Sequence, residues 1–247
     1  MGLFNLFKSK SGGDGEKRAN TATAKWADVA GNKRAQAYDR LEAIAELCKL
    51  KTPEAVEGLM RRFSFAIDPS ITDQEEKDAV FEGILEAGEE AIEPVRAFAA
   101  KAESLAWPMR IMKALLPEDA YIEELVAWLS VWDTEYAKFI DPKLQILAAL
   151  EEYHHPLIRR AVEPFLEDVN EPTRFHAVSA TVAQVDPASI EPLVHMLINE
   201  ESVRIRTKVA DIFVSFSWKI PADQRDAVRE VLPPQFGVDA KGMVVKR

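Results

Sequence analysis

One arrangement of residues recurs along this chain at a nearly constant interval, and it constrains the fold more than any other feature. A lysine or arginine stands three positions before a pair of residues that is apolar in most copies, and successive copies are 31 to 37 residues apart. We call these basic residues the anchors; they are Arg40, Lys77, Arg110, Lys143, Arg174 and Arg206. A period of this length indicates stacked units of one supersecondary structure, each too small to bury its apolar face alone.

A second motif alternates with the anchors. It consists of isoleucine or valine, then glutamate, then in most copies proline, and its copies begin at Val56, Ile92, Ile122, Val162 and Ile190. Proline is tolerated in the first turn of a helix, where its missing N–H would have no intrahelical partner. The motif therefore predicts helix starts, so that each unit contains an A helix with this motif and a B helix with an anchor.

The chain as a whole is predicted to be all-α. Glycine is scarce, at 10 of 247 residues, and helix start signals recur where alternating strand patterns are hard to find. We expect a first helix near 33–50 and a closing helix near 221–232. Between them we expect five A and B pairs, near 53–66 and 72–87, 89–102 and 105–116, 118–131 and 141–153, 156–168 and 171–185, and 187–199 and 202–217.

The period and both motifs resemble the HEAT repeat, and more narrowly the HEAT-like repeats of the phycobilin lyase group. The resemblance runs from about Lys33 to Leu232, and its closest copies are Glu171–Val182 and Asn199–Phe213. It implies an armadillo-type fold, here a right-handed α-solenoid (αα superhelix) of about five to six HEAT-like helical hairpins. We expect a flexible N-terminal segment with a short apolar motif over 1–25, the repeat domain over 26–232, and a loose tail over 233–247.

The anchors are interpreted as structural residues rather than as a ladder that binds anions. In repeats of this kind the anchor usually pairs with an acidic or polar residue of the preceding turn, which ties one repeat to the next. Asp141, Asn170, Glu171 and Glu201 are placed for that role. A buried cation needs such a partner, since taking it out of water is costly.

The predicted binding surface is the concave face, which B helices line in solenoids of this type. Positions two, five and nine residues after each anchor form a stripe at helical spacing. The partner-binding residues that this stripe predicts are Glu42, Glu82, Glu86, Gln145, Glu152, His176, Ser179, Lys208 and Asp211. The last four lie on adjacent helices and form the densest polar group. We interpret them as part of a partner-facing groove, and a catalytic site is the alternative.

No catalytic, metal-binding or cofactor motif is recognisable. The four histidines lack the His-Glu-x-x-His spacing of a zinc site, and no His-Glu dipeptide marks the iron hydroxylases of the repeat family. The single cysteine, Cys48, excludes an intrachain disulfide framework and fits a reducing cytoplasm. We therefore expect a protein that is not an enzyme and that needs no cofactor.

Charge argues against nucleic acid as a partner. The net charge is −10, and because residues 1–25 carry +3 and residues 233–247 carry +2, the body between them carries −15. An acidic body repels the phosphate backbone. The stretch 68–93 is especially acidic, and it is either a recognition surface or simply a solvated face.

The N-terminus carries a short apolar motif made of Leu3, Phe4, Leu6 and Phe7. The motif is shorter than the apolar region of a signal peptide. It is predicted either to dock weakly on a membrane surface or in the groove of a partner, or to remain an unpacked terminus.

The sequence therefore predicts a cytoplasmic, non-catalytic scaffold or adaptor that binds another protein along the concave face. Two alternatives stay open because they come from repeat proteins that this chain resembles. One is a tetrapyrrole (phycobilin) lyase-like enzyme or chaperone. The other is a HEAT-like alkylpurine DNA glycosylase, which the length and the several tryptophans suggest and the acidic body argues against.

Overall fold

The computed structural model describes the backbone of residues 11–247 and the side chains of residues 21–247. The chain divides into two compact units, Met1–Leu116 and Pro117–Arg247. They are the first and the second unit.

The described part of the first unit consists of helices that pack in two layers. The B helices α2 and α4 pack on each other, as do α4 and α6, while the A helix α3 packs on α5 and the helix α1 lies against α2 and α3. The helices are α1 Ser11–Ala30, α2 Ala37–Leu50, α3 Pro53–Met60, α4 Ser70–Ala87, α5 Ile92–Ala99 and α6 Ala106–Leu115. Short 3-10 helices extend α3 over Arg61–Ser64 and precede α5 over Gly88–Ala91.

The second unit repeats this layering. The B helix α10 packs on α8 and on α12, while α7 packs on α9 and α11 packs on α13. The elements are α7 Glu118–Leu129, α8 Asp141–Leu150, α9 Pro156–Val162, α10 Glu171–Ala183, α11 Ile190–Asn199, α12 Val203–Phe216, α13 Arg225–Val231, and the strands β1 Phe236–Val238 and β2 Val244–Lys246. A 3-10 helix continues α9 over Glu163–Glu167.

The prediction of an all-α fold is confirmed for the described residues, apart from the short C-terminal hairpin, and each predicted helix has a counterpart. The glutamate-proline motif marks the start of α5 and of α11. The copy that begins at Val162 behaves differently, because its proline, Pro164, lies in the 3-10 helix that follows α9. Without an N–H, Pro164 cannot donate to the carbonyl four residues earlier, and this favours the change from α-helix to 3-10 geometry.

The predicted loose tail over 233–247 is wrong. Strands β1 and β2 pair antiparallel, and Phe236 and Val244 bury their side chains against the helices. The connection turns at Gly242, whose φ of +85° favours glycine. The carboxylate of Asp239 accepts hydrogen bonds from the N–H groups of Lys241 and Met243, both at 2.8 Å. These bonds satisfy two backbone N–H groups of the turn and so stabilise the hairpin.

The N-terminal prediction is corrected in part. Residues 11–25, which the sequence analysis assigns to a flexible segment, belong to α1, and Ala27 and Ala30 of this helix are buried. Gly58 of α3 allows the close approach, since a Cβ there would lie 2.7 Å from Cβ of Ala27. The apolar motif of Leu3, Phe4, Leu6 and Phe7 lies outside the described residues. Along the part of the chain that is described, no helix is both long and apolar enough to cross a membrane.

Cys48 lies on α2 against Gly83 of α4. A Cβ at Gly83 would come within 2.1 Å of the Cys48 sulfur, so only glycine fits there. Burial is the main cause that raises the pKa of the Cys48 thiol, and the charge of Glu86 adds to this. A thiol with a raised pKa is a weak nucleophile, which agrees with a packing role.

Candidate functional site

The anchors of the second unit are joined by an unbroken line of polar contacts, which we call the ladder. The ammonium of Lys143 lies 2.5 Å from the carboxylate of Asp168, and both side chains are fully buried. The backbone carbonyl of Asp168 accepts a hydrogen bond of 2.8 Å from Arg174. Arg174 donates two further bonds of 2.8 Å to the Glu200 carboxylate. The Glu200 carbonyl in turn accepts from Nε of Arg206 at 2.5 Å.

The pKa values at the ladder agree with this pairing. The hydrogen bonds to Glu200 raise the pKa of Arg174. Burial alone would raise the pKa of the Glu200 carboxyl, but bonds from Arg174 and from the Ser202 N–H bring that pKa below its ordinary value. Both shifts stabilise the charged forms, so Arg174 and Glu200 form an ion pair at neutral pH.

The predicted partners of the anchors are wrong, although the structural role itself is supported. Lys143 and Arg174 do not pair with carboxylates of the preceding turn. Their partners, Asp168 and Glu200, follow the anchors by 25 and 26 residues and stand at the end of the next A helix. The preceding turn supplies backbone carbonyls instead. Among the described side chains, none of the four expected partners is paired with an anchor, and Glu171 instead lies 3.1 Å from Arg204.

The first unit holds two of its three anchors, Arg40 and Lys77, in a closed ionic cluster. Arg40 and Arg62 share the carboxylate of Glu76, at 2.9 Å and 2.6 Å. Asp73 joins the cluster by contacts to Arg62 at 2.8 Å and to Lys77 at 2.7 Å. Neither Arg62 nor Glu76 exposes any of its side chain.

The remaining anchor of the first unit has an aromatic environment. The Arg110 guanidinium lies 4.3 Å from the ring centroid of Phe81 and 4.8 Å from that of Trp107. Its ion pair with Asp78 is longer, at 3.6 Å, and both of these side chains are about half exposed. A cation over aromatic rings is stabilised by the ring quadrupole, so this anchor is held without a buried carboxylate.

The predicted stripe residues of the first unit remain separate on the surface. Glu42 on α2 and Glu82 and Glu86 on α4 are all exposed. Glu86 pairs with Lys51 at 3.0 Å. Among the described side chains, none of the three glutamates forms a hydrogen bond or ion pair with another residue of the stripe.

The second unit brings its stripe residues together. His176 of α10 lies 2.6 Å from the carboxylate of Glu151, at the end of α8. Lys208 of α12 donates to the Ser179 hydroxyl of α10 at 2.5 Å. The other two predicted residues of this unit are Gln145 and Glu152. Gln145 lies within α8 and is half-buried, and Glu152 is exposed just after the end of that helix.

The end of the stripe is closed by the C-terminal hairpin. Asp211 of α12 lies 2.8 Å from the ammonium of Lys246, which belongs to β2. Both side chains are partly exposed. The polar line on this face therefore runs from the end of α8 across α10 and α12 to β2.

Between α10 and α12 lies a groove of about 510 Å³. Both polar and apolar side chains line the groove, so it offers hydrogen-bonding groups as well as packing surface. The lining residues are Phe175, Ser179, Val182, Arg204, Thr207, Lys208, Asp211, Ile212, Ser215 and Phe216. Of the densest polar group that the sequence predicts, Ser179, Lys208 and Asp211 belong to this lining, and His176 does not.

Lys208 dominates the electrostatics of the groove. Its ammonium lies 3.8 Å from the ring centroid of Phe175, and the Arg204 guanidinium lies 4.0 Å from the same centroid. Burial lowers the pKa of Lys208 below its ordinary value; the charge of Glu151 opposes this shift and the charge of Arg204 adds to it. The ammonium is therefore partly stripped of water and lies beside a second cation.

Sequence analysis misses Phe175, Arg204 and Lys246 as members of the site. Phe175 directly follows the anchor Arg174 and so lies one position before the predicted stripe begins. Arg204 could have been identified from its spacing, because it stands four residues before Lys208 and residues four apart lie on one face of a helix. The contribution of Lys246 depends on the hairpin, which the sequence analysis does not predict.

The geometry of Ser179 does not suit nucleophilic catalysis. Its hydroxyl donates to the Phe175 carbonyl at 3.1 Å and accepts from Lys208, so the lysine acts as a donor and not as a base. Ser179 also lies within α10, where backbone N–H groups are used by the helix and cannot form an oxyanion hole. Within the described residues, no group of three or more His, Cys, Asp or Glu side chains is placed to hold a metal ion.

The first unit has a larger cavity, of about 890 Å³, between α3 and α5. Met60, Phe63 and Phe98 contribute apolar surface to it. The arginine of its lining, Arg61, is exposed and already paired with Asp28 at 3.0 Å. This cavity therefore lacks a half-buried cation such as Lys208, and we regard the groove of the second unit as the better candidate site.

No model of a protein family matches the chain, and no curated protein matches it. One matching solved structure is described as "Computational Design of Self-Assembling Cyclic Protein Homooligomers". It shares 15% sequence identity, with 87% of this chain and 71% of that chain covered and a TM-score of 0.15. A similarity at this level supports no conclusion about fold or function.

Proposed function

We propose that the chain is a non-catalytic scaffold or adaptor of the cytoplasm that binds another protein. In this proposal its helices form a right-handed α-solenoid of HEAT-like hairpins, and the partner lies along the concave face. The groove between α10 and α12 is the central contact. The other stripe residues of the second unit, Gln145, Glu152 and His176, border the same binding face.

The layering of helices supports the solenoid part of the proposal. In each unit, B helices pack on B helices, and A helices pack on A helices as well as on neighbouring B helices. In the second unit the ladder joins successive anchors in the same direction along the chain. Such nearest-neighbour links are what a repeat architecture requires, because each repeat contacts only those beside it.

The observation that carries the binding part is the meeting of the stripe residues in the second unit. Ser179 and Lys208, predicted from spacing alone, lie in hydrogen-bond contact across two adjacent B helices. They line a groove that also exposes apolar surface, including Phe216, which is 36% exposed. Protein interfaces commonly combine an apolar contact area with a few fixed polar groups.

The proposal is tested by site-specific photo-cross-linking in the intact chain. A photoreactive amino acid at Thr207, inside the groove, is compared with the same amino acid at Glu191, which is exposed on the A helix α11. We expect a discrete protein adduct from Thr207 and none from Glu191, and loss of the adduct when Lys208→Glu is added. Equal adducts from both positions, or no protein adduct from Thr207, would reject the groove as the binding site.

A further inference from the structure

Lys208 differs from the buried cations of the ladder in one respect. Lys143 and Arg174 each have a carboxylate partner. For Lys208, the described residues provide no carboxylate oxygen within 4.0 Å, and its hydrogen bond goes to the neutral hydroxyl of Ser179. The nearest acidic influence, Glu151, is already bound to His176.

The position of Lys208 is unfavourable in the free protein. The ammonium is half-buried, and Arg204 places a second positive charge over the same ring of Phe175. An ammonium has three N–H donors, and a hydroxyl acceptor satisfies one of them. A carboxylate would satisfy the remaining demand with a charge-assisted bond, which is about twice as strong as a neutral one.

The apolar lining of the groove favours an apolar side chain next to that carboxylate in the bound segment. Val182 lies one turn along α10 from Ser179, and Ile212 lies one turn along α12 from Lys208. Phe216 lies one turn further and stacks on Trp218 with ring centroids 5.1 Å apart. The groove therefore offers a cationic end and an apolar end on the same two helices.

We propose that the α10–α12 groove recognises an acidic segment of a partner protein. A glutamate or aspartate side chain of that segment binds Lys208, and an adjacent apolar side chain packs on Val182, Ile212 and Phe216. This inference rests on the proposed function, since it names the chemistry of the partner at the same groove. The body of the chain carries −15 and repels an acidic segment at long range, so binding depends on the local positive charges of Lys208 and Arg204.

The test uses random peptides displayed on phage and selected on the intact chain. Peptides that are enriched are then synthesised with an amidated C-terminus, and their affinities are measured by fluorescence anisotropy. We expect enriched peptides to share an acidic residue next to an apolar one. Replacing that acidic residue by its amide, or making Lys208→Gln, should weaken binding at least about tenfold. The control Lys241→Gln, at an exposed lysine of the hairpin, should leave the affinity unchanged.

A charge reversal separates recognition from misfolding. Lys208→Glu should reverse the selection toward peptides with lysine or arginine, a result that an unfolded variant cannot give. Lys208→Arg should retain the acidic peptides. Circular dichroism of each variant confirms that the helices are intact.

The outcomes separate this inference from the proposed function. Enriched peptides that need the groove but carry no acidic side chain would overturn the inference and leave the proposed function standing. Peptides that bind only with a free C-terminal carboxylate, or a library without any enriched peptide, would also overturn it, while the cross-linking result still decides the proposed function. Peptides that are insensitive to every Lys208 variant would reject both.

Discussion

The two units place the same kind of anchor in different electrostatic surroundings. In the first unit, Arg40 and Arg62 converge on one buried carboxylate, Glu76. In the second, Lys143 and Arg174 each have a carboxylate of their own. The first arrangement is a closed cluster in which two buried arginines depend on the same carboxylate. The second is a chain of pairs in which each acidic residue also supplies its backbone carbonyl to the next anchor.

Local sequence explains the difference. In the second unit, the residues 25 and 26 positions after the anchors Lys143 and Arg174 are Asp168 and Glu200. The equivalent positions after Arg40 are Phe65 and Ala66, which offer no carboxylate. The acid therefore comes from α4, and Arg62 joins it there. One repeat position can thus be satisfied in two ways, provided that each buried cation gains a hydrogen-bonded anion.

The closed cluster predicts the largest effect of a single substitution. Glu76→Gln leaves Arg40 and Arg62 buried without their shared anion, and we expect a loss of about 4–5 kcal/mol in the free energy of unfolding. Urea unfolding followed by circular dichroism measures it. Glu75→Gln, at the exposed neighbouring position, is the matched control and should change stability little. A small effect of Glu76→Gln would show that the cluster is not a unit.

Breaking one pair of the ladder should cost less. Asp168→Asn keeps the shape of the side chain and the backbone carbonyl that Arg174 uses, but it leaves the Lys143 ammonium buried without a carboxylate. We expect a loss of about 3 kcal/mol in the same measurement. Glu167→Gln, at an exposed residue next to it, serves as the control. A loss as large as that of Glu76→Gln would remove the distinction between cluster and ladder.

Acid should weaken the cluster through Asp73. Although burial acts to raise the pKa of its carboxyl, the hydrogen bonds from Lys77 and Arg62 lower that pKa from 3.8 to about 2. Because the folded pKa is the lower one, this contribution is fully present above the unfolded value and is lost as the pH falls through the folded value.

We therefore expect roughly 1–2 kcal/mol of stability to disappear between about pH 4 and about pH 2 through this group, after allowance for solvent screening. The measurement is the pH dependence of unfolding of the wild type against Asp73→Asn, in which this part of the dependence should be absent. Asp68→Asn, at an exposed position, should retain the dependence. A parallel dependence in wild type and Asp73→Asn would assign the acid sensitivity to other carboxyls.

Sequence reasoning succeeds where local signals determine the structure. The helix pairs follow from proline positions and apolar spacing, and the contact of Ser179 with Lys208 follows from counting along two B helices. It fails where the partner lies far along the chain or depends on another element. Asp168 stands outside the turn in which a partner for Lys143 was expected, and Lys246 reaches Asp211 only because the last residues form a hairpin.

Cys48, which packs against Gly83, allows a dye to be attached to the first unit alone. The chain has one cysteine, so a thiol-reactive dye can label only α2, and the second unit remains unlabelled. Because the sulfur packs against Gly83 of α4 and is only partly exposed, the rate of labelling depends on how closely α2 and α4 pack. The labelling rate therefore reports local separation of α2 from α4 in the intact chain, and the second unit does not contribute to it.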